Sequence, residues 1–170
     1  MRLYLVQHGD ATPKDQNPEC PLSDKGRTDI ERMAAFLARS RMRVARVIHS
    51  GKTRARETAL LFADVLGPGK VVEEAVAGLG PNDSTDLLFQ AVGPWAGDAA
   101  AGIEGAGDIM VVGHLPFMGR LLSRLVSGDE DSHVAAFSPG TVACLENGKD
   151  PAGLPGWTLV WVVRPELLGV

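Results

Sequence analysis

Three short segments carry residue types that could do chemistry together: Gln7-His8-Gly9-Asp10, His49-Ser50-Gly51-Lys52-Thr53-Arg54 and Gly113-His114-Leu115-Pro116. Brought to one place, they collect two imidazoles, His8 and His114, and the guanidinium of Arg54. A neutral imidazole can attack phosphorus and form a phosphohistidine, which water then hydrolyses. With an ordinary pKa of ~6.5, much of it is neutral at physiological pH. A second histidine can donate to the phosphoryl oxygens, and arginine offers a planar fork matched to phosphate. Phosphoryl transfer asks for such an in-line nucleophile amid positive charge. Gly9 lets backbone approach the His8 ring closely, and a nearby carbonyl would fix its tautomer.

These clusters need elements that bring them together, and the pattern of the chain predicts them. Residues 3–6, 43–49 and 108–112 are short apolar runs that read as buried strands, each ending in one of the clusters. Ser23 caps a predicted helix whose apolar positions are Ile30, Met33, Ala34, Phe36 and Leu37. A second helix is predicted over 53–66 and stopped by Gly67-Pro68-Gly69, a third over 84–92, and a fourth over 117–126. The Ala/Gly-rich stretch 96–107 reads as a helix end and loop. Residues 141–145 and 158–163 read as two final strands joined by a Gly/Pro-rich turn, with Trp157 and Trp161 on one face as packing residues. Strands alternating with helices predict a three-layer α/β/α sandwich, its central sheet mostly parallel with an antiparallel edge near the C-terminus. In such sheets ligands bind beyond the carboxyl ends of the strands, where the three clusters stand. Helices starting just after Ser50 and His114 would aim free N–H groups the same way.

The ordered set Val6-Gln7-His8-Gly9-Asp10-Ala11, Pro21-Leu22-Ser23 with Gly26, His49-Ser50 leading to Arg54-Ala55 and Thr58-Ala59, and Val112-Gly113-His114-Leu115-Pro116 resembles the histidine phosphatase superfamily (phosphoglycerate mutase-like). Within it the chain is most similar to the small, SixA-type phosphohistidine phosphatase branch, over nearly its whole length. The resemblance implies that His8 is the phosphorylated nucleophile and His114 the second pocket histidine. It assigns phosphate binding to Arg54, with Gln7, Gly9 and Leu115 beside it. It also implies that neither metal nor organic cofactor is used. In many members a carboxylate after the middle strand gives the leaving group its proton, and here that region is Leu79-Gly80-Pro81-Asn82-Asp83. Asp83 is the candidate donor and Asn82 a candidate phosphate or substrate contact. A phosphohistidine leaving group needs less help from an acid than an alkoxide does.

One residue departs from the family pattern. Gln7 stands where the signature has arginine. A hydrogen bond to a charged group contributes roughly 1.5–3 kcal/mol, so an uncompensated loss would cost ~10- to 100-fold. Lys52 and Arg56 are candidate substitutes, although on a regular helix both lie nearly opposite Arg54.

Blander readings compete at each position. His49 reads as a strand-terminal structural residue, and His133 as an exposed loop residue. Arg54 has Glu57 and Asp64 as alternative ion-pair partners on its own helix. Asp10 reads as a residue holding the loop after the first strand at least as readily as a catalytic one, and Ser50 as a donor either to the loop or to phosphate. Asn82-Asp83 is also an ordinary turn sequence. The histidines show neither HxH nor HExxH spacing, so no metal site is expected.

The 170 residues, 45% of them hydrophobic, suit a single domain over 1–170. A formal net charge of -4 gives no basic excess for nucleic acid or an anionic membrane. No run reaches the ~20 apolar residues of a bilayer span. Cys20 and Cys144 lie far apart in sequence, which reads as a reduced, cytoplasmic protein. The expected partner is a phosphorylated protein, such as a histidine phosphorelay carrier, since a short chain has little room to roof a small-molecule pocket. The expected state is a monomer or weak dimer. The alternatives are a phosphomonoesterase for small phosphorylated metabolites and a weakly active or inactive phosphate- or phosphoprotein-binding module.

Overall fold

The computed structural model describes residues 1–67, 71–75, 77–149 and 155–169. Six strands form one mixed sheet: β1 (Arg2–Gln7), β2 (Arg46–His49), β3 (Val71–Glu74), β4 (Ile109–Gly113), β5 (Val142–Lys149) and β6 (Pro155–Val163). Their spatial order is β3-β2-β4-β1-β5-β6. The pairs β3·β2, β2·β4 and β4·β1 are parallel, while β5 and β6 add an antiparallel edge. Four helices, α1 (Asp24–Arg39), α2 (Thr53–Leu66), α3 (Asp86–Ala100) and α4 (Phe117–Ser127), complete the chain with a 3-10 turn over Pro165–Leu168.

Period-two alternation divides the core into two sets. Tyr4 and Val6 of β1 pack with Ile30, Met33 and Leu37 of α1 and Ala59 and Phe62 of α2. Leu3 and Leu5 face the other way, onto Leu88 and Val92 of α3 and Leu121 and Leu122 of α4. The architecture is therefore the three-layer sandwich expected, with helices covering both faces of the central strands. Ser23 caps α1, its Oγ accepting from Gly26 N at 3.0 Å. Phe36, expected on the inner face of α1, is exposed.

Several expectations change in detail. The middle strand starts at Arg46, because Val44 N and Ala45 N bond to Leu66 and Asp108 carbonyls instead of a strand ladder. β3 was not expected. Its four residues pair with β2 alone, and Glu73 accepts both Nε and Nη2 of Arg46 at 2.9 and 2.8 Å. Helix α3 starts later and runs further than 84–92, continuing through Pro94 to Ala100. The final two strands are longer than their apolar runs.

Trp157 and Trp161 do not share a face. Cys144 pairs with Trp161 but Leu145 pairs with Leu159, so β6 carries one extra residue, Val160, between them. This bulge flips the alternation. Trp161 packs on the α1/α2 side, 6.0 Å from Tyr4 between ring centroids, and Trp157 packs on the α3/α4 side. α2 stops at Gly67 as expected, its N bonding to Ala63 O at 3.0 Å, while Pro68, Gly69 and the turn between β5 and β6 lie outside the described residues.

The loop after β1 is held hard against α1. A Cβ on Gly26 would collide with the Asp10 carbonyl oxygen, and one on Gly9 would stand 2.9 Å from Ile30 Cγ1. Ser23 N donates to Asp10 O at 3.0 Å, and Ser23 Oγ to Asp10 Oδ2 at 2.5 Å. Asp10 thus takes up the structural role in the loop.

Candidate active site

β1, β4 and β2 are adjacent and parallel, so their carboxyl ends deliver His8, His114 and the turn before α2 to one edge of the sheet. His8 N donates to Gly113 O at 3.1 Å, which ties the first and third clusters directly. The imidazoles of His8 and His114 lie 4.8 Å apart between centroids, tilted by 57°. Arg54, in the first turn of α2, reaches both. Its Nε donates to His8 Nε2 at 3.1 Å, and its Nη2 lies 3.5 Å from His114 Nδ1. Its place is therefore between the imidazoles, while Glu57 accepts from Leu22 N and lies 3.9 Å from Arg27.

Arginine carries donors only, so both ring nitrogens facing Arg54 must present lone pairs. The remaining ring nitrogens then carry the hydrogens. His8 Nδ1 donates to Gly9 O at 2.7 Å, and His114 Nε2 donates to Ser50 Oγ at 2.6 Å. Ser50, open between two roles in the sequence, orients His114. Burial and then the Arg54 charge push His8 down to about 4, against the raising effect of the Gly9 carbonyl. Burial, His8 and Arg54 push His114 down to about 3. Both rings are neutral near pH 7, with His8 Nε2 basic and unprotonated.

Thr58 supports this arrangement and was not recognised as a site residue. Fully buried, its hydroxyl accepts from Gly9 N at 3.1 Å and donates to Arg54 O at 2.7 Å. In the sequence it belongs to the ordered set that carries the family resemblance and stands one helical turn after Arg54, but neither gives it a role. Gln7 is buried, and its Oε1 has no hydrogen-bond partner among the described residues. Leu115 is exposed beside His114.

Asn82 and Asp83 stand apart from this group. Asp83 Oδ2 accepts from Gly80 N at 2.8 Å, closing a turn on the surface. Among the described residues, no hydrogen bond joins Asn82 or Asp83 to His8, His114 or Arg54. His49 is buried and structural, its Nδ1 accepting from Gly51 N at 3.0 Å, and His133 is exposed. Lys52 is not opposite Arg54: it precedes α2 as its N-cap with extended backbone, and lines a cleft together with Arg54. Among the described residues no group of three or more His, Cys, Asp or Glu side chains could hold a metal ion, and no helix is long and apolar enough to cross a membrane.

Known proteins resemble the chain in sequence and in fold. The family described as histidine phosphatase superfamily (branch 1) matches residues 3–79, which contain His8 and Arg54. Phosphohistidine phosphatase SixA of Escherichia coli (strain K12) is 25% identical over 150 residues, covering 87% of this chain and 88% of that protein. A structure of the protein histidine phosphatase SixA complexed with tungstate superposes with a TM-score of 0.79 at 25% identity, covering 99% of this chain and all of that one (100%). The putative phosphohistidine phosphatase SixA from Agrobacterium tumefaciens shares the fold with a TM-score of 0.70 at 21% identity, over 96% of this chain and 97% of that one. The family model over residues 3–79 and these likenesses together support the histidine phosphatase superfamily, SixA-type branch, for this chain.

Proposed function

We propose that this phosphatase removes the phosphoryl group from phosphohistidine on a protein, through a covalent intermediate on His8. The observation that carries the reading is the pair of hydrogen bonds on the His8 ring, from Nδ1 to Gly9 O at 2.7 Å and from Arg54 Nε to Nε2 at 3.1 Å. They hold the proton on Nδ1 and aim the Nε2 lone pair into the cationic end of the cleft.

In the first step Nε2 attacks phosphorus, and the P–N bond to the substrate histidine breaks. Its electrons return to the departing ring, which already carries a proton on its other nitrogen. That ring protonates near pH ~6.5, so bulk water can supply the proton and no carboxylic acid is required. This fits an Asp83 carboxylate engaged with Gly80 N. The His8 intermediate keeps its Nδ1–H on the Gly9 carbonyl, which stabilises the positive charge on the ring. Water then attacks phosphorus, the electrons of the second P–N bond return to Nε2, and phosphate leaves. Arg54 holds the equatorial oxygens in both steps, and His114 joins it once the bound oxyanion raises its pKa and its Nδ1 takes up a proton. Gln7, Gly9 and Leu115 border the same oxygens, and no metal or organic cofactor takes part.

The test is rapid acid-free trapping of 32P on the wild-type protein and on His8→Ala, with a phosphohistidine carrier protein as donor. Label on the wild type alone supports the reading. Absence of label together with absence of phosphohistidine hydrolysis overturns it. A higher kcat/KM on sugar phosphates than on the carrier would move the assignment to metabolite esters.

A further inference from the structure

Beside the two imidazoles, a cleft of about 440 Å³ lies between the loop over residues 14–20 and the turn before α2. Arg54 lines it, so the cleft is continuous with the group around His8. Lys14 and Lys52 line it as well, from opposite walls, and Glu19 is the one carboxylate among its lining residues. Glu19 is engaged by Thr53, whose Oγ1 donates to Oε2 at 3.4 Å. Lys14 and Lys52 have no ion-pair partner among the described residues. After burial and Arg54, the Lys52 charge is one of the influences that keep both imidazoles neutral.

The loop wall is preformed. Thr12 N bonds to Pro21 O at 2.8 Å, Asn17 N to Pro13 O at 3.0 Å, and Cys20 N to Asn17 O at 2.9 Å. At ~30 Å³ for each water, the cleft has the space of roughly fifteen waters, several times what a phosphoryl group fills. Arg54 and the imidazoles serve the phosphoryl end. The two lysines supply positive charge beyond it that the transferring group does not need.

We propose that this cleft is a second anion subsite, and that it selects phosphohistidine proteins with an aspartate or glutamate beside the phosphorylated histidine. The inference rests on the phosphohistidine reading for the source of the carboxylate, and on the cleft alone for the subsite. Paired lysines facing one carboxylate at a partly exposed site give about tenfold in affinity, and the preference weakens as salt is added.

Two measurements test it. Binding of 3-phosphonopropionate and of propylphosphonate, neither hydrolysable, is compared by calorimetry on the wild type and on Lys14→Gln/Lys52→Gln. The expected result is about tenfold tighter binding of the carboxylate compound to the wild type, falling to near equality in the variant. Equal binding to the wild type overturns the subsite. Phosphohistidine peptides with acidic or amide neighbours are then compared by kcat/KM. A preference for the acidic peptide that the double variant loses supports the proposal. If both peptides are cleaved equally while the phosphonates are distinguished, the carboxylate belongs to a small phosphate ester and the protein-substrate form is overturned. If neither peptide is cleaved, the phosphohistidine reading fails, and the phosphonate ratio still decides the subsite.

Discussion

Arg54 Nε donates to His8 Nε2 at 3.1 Å, so the guanidinium occupies the lone pair that the reaction needs. Phosphoryl oxygens are stronger acceptors for this fork than an imidazole nitrogen. On the proposed mechanism, substrate binding transfers Arg54 from the ring to the phosphate and frees His8 Nε2 in one exchange. The resting contact holds the ring in the correct tautomer while the site is empty.

Arg54→Ala separates the two roles. Removing a nearby positive charge and the donor on Nε2 raises the His8 pKa from about 4 toward its ordinary value. Turnover falls by ~10²–10³ because charge on the equatorial oxygens is no longer balanced. Histidine NMR titration and single-turnover kinetics check the two effects.

Gln7 gives a prediction of opposite sign. Its Oε1 is buried without a partner among the described residues, which costs roughly 1–3 kcal/mol relative to a satisfied group. Gln7→Met removes that acceptor at similar volume and raises stability by about 1 kcal/mol, read from the urea midpoint. Gln7→Arg restores a charged donor and tightens tungstate binding by about tenfold. Unchanged tungstate affinity would mean that a charge at this position does not reach the oxyanion.

Thr58→Val keeps the shape of a fully buried side chain but deletes its hydroxyl. Gly9 N then loses its acceptor inside the protein. The expected destabilisation is about 1–3 kcal/mol, with a fall in kcat as the Gly9 carbonyl and His8 ring lose their fixed orientation. Thr58→Ser, which restores the hydroxyl, recovers most of the kcat.

The two imidazoles also set a pH dependence of stability. In the folded protein His8 and His114 protonate only near about 4 and about 3, against ~6.5 in the unfolded chain. Between these values the unfolded state binds more protons, so stability falls as pH drops from about 6.5 toward 4 and is fully present above it. Urea midpoints measured across this range should be steeper in the wild type than in His8→Gln/His114→Gln. A bound oxyanion raises both pKa values and flattens the wild-type curve, read in the presence of tungstate.

The parts of the site on strand ends were legible because each apolar run stops at its polar cluster: Leu3 to Val6 before His8, and Ile109 to Val112 before His114. The parts that depend on tertiary partners were not. β3 offers only two valines before two glutamates, and its pairing with β2 and the Arg46–Glu73 ion pair make it a strand. Pro94 reads as a helix breaker, yet α3 carries it while burying Leu88, Val92 and Ala96. The faces of Trp157 and Trp161 depend on a one-residue bulge, to which alternation is blind. In the site, Arg54 followed from its register, while Thr58, present in the motif set, shows its role only in the contact between Gly9 and α2. Lys52 reads as helical from its spacing to Arg54, but the helix starts one residue later.

Gly26 presses the first turn of α1 onto the backbone of Asp10 with no side chain between them. The segment behind the nucleophile therefore has no private way to open. The Gly9 and Ser23 amides should exchange with deuterium as slowly as the middle of α1, whereas the amides over residues 14–20, one wall of the cleft, should exchange through local openings of their own. Accommodation of a bulky substrate then falls to that loop, while the segment that carries His8 stays fixed.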